Sequence, residues 1–319
     1  MSRRYIPFLL FCCLVLLLPF FLRGAYHIHI LILTMMNVIL TASLRLILLS
    51  GQMSLAHGGM LTVGAYTSAL LVLKASFPFW LAFIMAGLFA FFLAWLVGYP
   101  FMRIRGIYFS IVTIFFSEMT VLLAQQWEGL TGGSGGIYNI PRPDSVHLFG
   151  VKVLDFSSRT GFYYLLALIM LATLLVLHLL EDSRFGLTLK AIRQADILCE
   201  SFGVDTTLYR VLSFAIGSFF AGIMGSFYSH YVTAITPEAF GFLFTVYILI
   251  YMIVGGEKSP LGPIVGAAFL TLLPELLRPL KSFTPFVYAG ILLAIVYFLP
   301  EGLSGLILKW TERLGRGHA

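Results

Sequence analysis

The sequence predicts an all-α polytopic membrane protein, and three observations predict it: composition, the lengths of the apolar runs, and one hydrophilic interruption. Hydrophobic residues make up 60% of the 319-residue chain and charged residues 11%, where a soluble domain carries roughly 25% charged. Clusters of charge, Gly and Pro cut the chain into apolar runs near residues 5–22, 28–50, 59–73, 79–99, 107–125, 161–180, 211–232, 240–254, 262–277 and 285–299. Each is long enough, or nearly so, for a hydrocarbon core about 30 Å thick. The expected architecture is therefore about ten transmembrane helices in one transmembrane domain spanning residues 1–319, with a weak internal repeat. Residues 181–210 are the exception to this pattern.

The first run follows Arg3 and Arg4 and superficially looks like a secretion signal. It leaves through Phe20, Phe21, Leu22 and Arg23 without a small-x-small cleavage site, so it is expected to be the first span. Ten spans return both termini to one side. With the termini cytoplasmic, twelve of the twenty basic residues fall in inner loops and seven in outer ones. Arg45 adds to the inner side by snorkelling from the second span. This bias fixes the expected orientation: residues 181–210 are cytoplasmic, and the long loop of residues 126–160 faces outward. It also explains the net charge of +6 and the pI near 9.2 without nucleic acid, which is not an expected partner.

The third and ninth runs are short and broken. The chain reads GQMSLAHGG over residues 51–59 and GGEKSPLGP over residues 255–263, and each is followed by Gly-Ala, at Gly64-Ala65 and Gly266-Ala267. A long span, a Gly/Ser interruption and a small-residue helix in each half read as the repeat. Gly64 with Ser68, and Gly217, Ala221 and Gly225 with Ser218, Gly222 and Ser226, form small-xxx-small faces expected to bring helices close together.

In the hydrophilic stretch, helical numbering from about Ser183 places Leu187, Ala191, Ala195, Leu198 and Phe202 on one stripe. Lys190, Arg193, Gln194, Asp196 and Glu200 are turned away from it. Gly203 stands where a helix stop is expected, and Asp205 or Thr206 is placed to cap the next span. A membrane protein carrying such a helix between two spans presents a handle to something soluble.

Enzyme motifs are missing. Lys258-Ser259 has Glu257 before it where a nucleotide-binding loop needs Gly. The seven His lack paired metal-site spacing, His57 and His178 read as polar residues near loop ends, and Cys12, Cys13 and Cys199 suggest no disulfide. No cofactor or metal is expected. Residues 132–136, rich in Gly, read as a mobile turn or a docking loop.

Gly51-Gln52-x-Ser54-Leu55 with Gly64-Ala65-Tyr66, then Thr131-Gly132-Gly133-x-x-Gly136, open a pattern that continues in the second half. There follow Ser183-x-Phe185-Gly186 with Ala191-Ile192-Arg193 and Gly203, Phe214 with Ala221-Gly222, and Gly255-Gly256 with Leu261-Gly262-Pro263 and Gly266-Ala267. Together these resemble the LivM-type permease of branched-chain amino acid ABC importers over about residues 30–300. The resemblance implies a subunit of the bacterial inner membrane without catalytic residues. It implies partners as well: two ABC ATPase subunits, a second and distinct homologous permease, and a periplasmic substrate-binding protein. It implies hydrophobic amino acids as cargo, although related permeases handle urea, amides and other small polar solutes. By the same resemblance, Ser183, Arg184, Gly186, Lys190, Ala191, Arg193 and Gly203 belong to the ATPase-coupling loop. Leu187 and Gln194 depart from the family pattern, which commonly has a basic and an acidic residue there.

The alternative is a stand-alone secondary transporter or channel. Against it, the spans hold only Arg45, Glu118 and Glu275 as ionisable residues for ion coupling. Glu118, halfway along the fifth span, costs on the order of 2.5–3.5 kcal/mol to insert and should face a cavity or a partner. Arg45 is one candidate partner, and an interhelical hydrogen bond is the expected role. The functional reading places Glu118 with Tyr108, Thr113 and Ser117 near the pathway. Gln52, Ser54, His57 and Tyr66 have a comparable claim, because interrupted helices expose backbone that must be satisfied where it lines a cavity.

Overall fold

The structure, a computed structural model, describes residues 6–21, 24–104, 106–148, 151–156 and 158–306. The expectations that rest on Arg3, Arg4, Arg23, Arg105, Lys309, Arg313 and Arg316, and on the position of the termini, lie outside the described residues.

Each apolar run holds a helix: α1 (Ile6–Phe21), α2 (Ala25–Leu48), α3 (His57–Leu73), α4 (Phe79–Phe101), α5 (Ile107–Gln126), α7 (Arg159–Asp182), α10 (Thr206–Val232), α11 (Phe242–Gly255), α12 (Gly262–Leu276) and α13 (Thr284–Phe298). Short α6 (Glu128–Thr131) and the helices of the hydrophilic stretch, α8 (Arg184–Gln194) and α9 (Asp196–Ser201), are the other α-helices among the described residues. Among the described residues seven helical stretches are long and apolar enough to cross a membrane, whereas α3 and α12, of 17 and 15 residues, fall short of that length. This is a multi-pass membrane protein.

The most apolar helix faces are turned outward. On α4, Leu81, Ile84, Leu88, Phe92 and Leu96 repeat at three- and four-residue spacing and are all exposed, a stripe suited to lipid rather than water. The buried centre is built instead from small residues on α3, α4 and α10. A methyl group at Gly64 would meet the Gly222 carbonyl at 2.2 Å, and one at Gly225 would meet the Leu61 carbonyl at 2.1 Å. At Gly222 it would meet Ala90 at 2.6 Å. The small-residue faces read from the sequence thus let α10 wedge between α3 and α4 with backbone nearly touching backbone.

The loop expected at residues 126–160 is not wholly irregular. Strands β1 (Ile137–Tyr138) and β4 (Ala234–Ile235) pair antiparallel, and β2 (Val146–Leu148) with β3 (Val151–Leu154) forms a hairpin. The Gly-rich segment at 132–136 is a packed turn rather than a loose one. Its Gly136 comes so close to the Ile235 carbonyl that a methyl there would lie 2.0 Å from the oxygen. The β1–β4 pair holds this turn to the outer end of α10.

Candidate functional site

Two left-handed glycines open the two interruptions. Gly51 (φ 81°) follows α2 and Gly256 (φ 100°) follows α11, a conformation that only glycine adopts without strain. Three residues before the next helix begins, a serine repeats one bond. Ser54 Oγ accepts from the Ala56 amide at 3.3 Å, and Ser259 Oγ accepts from the Leu261 amide at 3.2 Å. Ala56 and Leu261 are the residues immediately ahead of α3 and α12.

The first interruption is buried. Gln52, Ser54, Leu55 and Ala56 are almost inaccessible, so their backbone groups need protein partners. Thr113 Oγ1 on α5 accepts from the Leu55 amide at 3.0 Å, and Ser110 Oγ donates to the Met53 carbonyl at 2.7 Å. Thr245 Oγ1 on α11 accepts from the Gly58 amide at 2.8 Å. His57, the first residue of α3, is fully buried with Nε2 3.0 Å from Ser43 Oγ. Among the described residues, Gln52 Oε1, His57 Nδ1, Tyr66 Oη and Ser117 Oγ are buried without a hydrogen-bond partner.

The structure therefore gathers Gln52, Ser54, His57 and Thr113 at one place. Tyr66 lies farther along α3, and Tyr108 is 69% exposed at the first turn of α5, apart from this group. Ser110 and Thr245 are the supports that sequence reading missed. Each is one hydroxyl in a largely apolar helix, and only the third dimension shows which backbone it serves.

Glu118 does not meet Arg45. Its Oε1 accepts from the Phe242 amide at 2.8 Å, at the first turn of α11, where the helix dipole favours a negative charge. That is the interhelical bond expected of it, with a backbone partner rather than a basic side chain. Glu118 also lines a groove of about 680 Å³ between α5 and α11.

Arg45 is paired instead with Glu181, the last but one residue of α7. Nη1 and Nη2 reach its two oxygens at 2.6 and 2.9 Å in a nearly buried fork. Both charges stand in the last turn of their helices, so depth alone could have matched them. Lys190 of α8 joins the same carboxylate at 3.0 Å. Arg45 Nε also donates to the Glu257 carbonyl at 2.9 Å, and Arg193 Nη2 holds the Glu257 carboxylate at 2.7 Å. The stem of Arg193 covers Gly51, where a methyl would lie 3.4 Å from Arg193 Cγ. By these contacts α8 is fixed to both interruptions at once.

The single helix expected from Ser183 to Phe202 is two helices. Ala195 breaks out of helical geometry (φ −152°, ψ 78°) between α8 and α9, and Asp196, just after the break, pairs with Arg210 of α10 at 3.0 Å. Gly203 ends α9 with a left-handed φ of 81°, and Asp205 Oδ1 caps α10 by accepting from the Leu208 amide at 2.9 Å. Ser183 Oγ donates to the Leu180 carbonyl at 2.7 Å, and Gly186 presses so close to Glu181 that a methyl would meet its carbonyl at 2.2 Å. Arg184 and Gly203 are exposed.

The opposite face is apolar and open. Leu187, Ile197, Leu198 and Phe202 are 59, 76, 56 and 79% exposed, and Ala191 lies among them. The side of α8 that covers the protein is Gly186, Leu189 and Ile192. Lys190 and Arg193, each partly exposed, reach from the border of that buried face to carboxylates of the body, and a second apolar stripe is left open on the other side.

Comparison with known proteins accounts for that arrangement. Residues 26–299 match the family described as branched-chain amino acid transport system / permease component. The chain belongs to this family. It is 32% identical over 300 residues to the high-affinity branched-chain amino acid transport system permease protein LivM of Salmonella typhimurium, covering 88% of this chain and 70% of that one. It is also 32% identical over 290 residues to LivM of Escherichia coli, covering 85% of this chain and 68% of the relative. A third similar protein is the probable LivH permease of Methanocaldococcus jannaschii, 26% identical over 176 residues, which cover 52% of this chain and 53% of that one. No solved structure matches. The chain is thus a permease subunit of an ABC importer, a transport subunit rather than an enzyme, and the stand-alone transporter reading falls away.

Proposed function

We propose that α8 and α9 are the surface on which an ABC ATPase subunit docks, and that α8 passes its movement to the two interruptions. The observation that carries this is the apolar surface left open on α8 and α9. Gly186, Leu189 and Ile192 pack α8 on the body and Lys190 and Arg193 tie it to Glu181 and Glu257, while Leu187 and Ala191 of α8 and Leu198 and Phe202 at α9 face outward with no described residue burying them. Of the residues that resemblance assigns to coupling, Ala191 and Arg184 meet the partner. Ser183, Gly186, Lys190 and Arg193 fix α8 to the body, and Gly203 turns the chain back toward α10.

The chain spans the bacterial inner membrane ten times with both termini cytoplasmic. It works with two ATPase subunits, a second permease of related sequence and a periplasmic binding protein. The likeness to a LivH as well as to LivM chains supports a related but distinct second permease. The cargo is a branched-chain or other hydrophobic amino acid, as the names of the relatives suggest. The two Gly-Ser interruptions are halves of a repeat, supported by the matching glycine conformations and serine bonds. Gln52, Ser54, His57, Tyr66, Thr113 and Glu118 line or support the pathway, and the unpartnered buried atoms of Gln52, His57 and Tyr66 are donors and acceptors for a polar passenger. Tyr108, exposed at the start of α5, borders the pathway where the second permease closes it.

Closure of the ATPase subunits moves α8, the ion pairs carry that motion to residues 51–56 and 256–261, and access alternates between the two sides. Topology tests the frame of this reading. Reporter fusions after Ser145 should behave as periplasmic and fusions near Gln194 as cytoplasmic, and the reverse at either position would remove the docking surface from the ATPase side.

A further inference from the structure

Between α5, α11 and the turn Pro237–Phe240 that precedes α11 lies the groove of about 680 Å³ that Glu118 lines. Its volume is that of a small-molecule site. Its polar groups are the carboxylates of Glu118 and Glu238, the hydroxyl of Tyr247 and the amide of Gln125, which donates to Glu238 Oε1 at 3.3 Å, and no lining residue is basic. The remaining wall is aliphatic and aromatic: Ile114 and Val121 flank Glu118 on α5, and Phe244 comes from α11.

We infer that this groove is where the permease receives its cargo, and that Glu118 binds the ammonium group of an aliphatic amino acid whose side chain lies on the apolar wall. The inference rests on the permease reading above and names the chemistry of its pathway. A carboxylate midway along a span persists where something offsets its desolvation, and the Phe242 amide occupies only one of its oxygens. A cation completes the set. Charge complementarity excludes anionic solutes from a groove lined by two carboxylates and no base, and the apolar wall disfavours urea and simple amides, which have no side chain to bury there. Glu238, exposed at the outer end of the groove, meets the ammonium first and Glu118 holds it deeper.

The test uses the complete importer in vesicles with saturating loaded binding protein, measuring leucine uptake, basal ATP hydrolysis and subunit content together. Glu118→Gln still accepts from the Phe242 amide but has no charge, so assembly and basal hydrolysis should persist while uptake falls by about tenfold or more. Leu122→Trp fills the groove without touching that bond and should likewise stop uptake in an assembled complex. The second variant keeps the test open should the first fail to assemble. Uptake at the wild-type rate by either assembled variant overturns the groove as cargo site. So does loss of the second permease from the Leu122→Trp complex, which would make the groove a subunit contact. A wild-type complex that imports no aliphatic amino acid at all overturns the cargo reading itself, and that outcome is separate because it appears before any variant is made.

Discussion

In the first interruption the backbone is held by neutral hydroxyls lent by neighbouring helices, Thr113 and Ser110 from α5 and Thr245 from α11. In the second it is held by its own Ser259 and by charge: Arg45 donates to the Glu257 carbonyl, Arg193 pairs with the Glu257 carboxylate, and Lys258 stands 3.9 Å from Glu301. The two segments share a glycine conformation and a serine bond yet differ in what surrounds them. Hydroxyls satisfy an amide without bringing a charge into a buried site. Charges suit the second segment because it lies beside α8, where partial exposure lowers the cost of ionisation and long side chains reach a mobile element. The difference separates a segment that α8 touches only through the stem of Arg193 from one that α8 holds by an ion pair.

Arg45→Ala should produce the largest effect on this contrast. It leaves Glu181 nearly buried with only Lys190 to face it and frees the Glu257 carbonyl, so the loss should be about 3–5 kcal/mol, read as a lowered unfolding temperature of the purified protein in detergent. Both ends of the α8 attachment would weaken together. Thr245→Val removes one acceptor from the buried Gly58 amide and should cost about 1–3 kcal/mol in the same measurement, with α8 undisturbed. A larger loss for Thr245→Val than for Arg45→Ala would dissolve the distinction between the two segments.

Much of the architecture was legible because hydrophobic run length and Gly/Pro punctuation are local signals. The runs expected at 79–99 and 211–232 became Phe79–Phe101 and Thr206–Val232, extended by residues such as Arg210 that a hydropathy reading trims. The stripe Leu187, Ala191, Leu198 and Phe202 was legible for the same reason, being a matter of helical spacing. What spacing left undetermined is which side of α8 faces the body, because that depends on partners distant in sequence: Glu181 for Lys190, and Glu257 for Arg193. The break at Ala195 was equally hidden, since alanine is the best helix former and the adjacent Asp196 is paired with Arg210, distant in sequence. Arg45 was matched to Glu118 because both are ionisable residues within spans. The better signal was depth: Arg45 and Glu181 both stand in the last turn of their helices, whereas Glu118 stands halfway along α5. The groove beside Glu118 had no sequence signature, because its walls come from two helices that are far apart in the chain.

The most direct test of the docking claim is to purify the importer carrying Ala191→Glu and measure ATPase-subunit retention and cargo-stimulated hydrolysis. Ala191 is exposed on α8 in this chain and outside any span, so the substitution should leave the permease folded and the binding protein able to dock. In the assembled importer it would bury a carboxylate against the partner, at a cost of several kcal/mol. The predicted result is loss of the ATPase subunits, or their retention with stimulation and uptake abolished. Retained subunits with unchanged stimulation and uptake would contradict it.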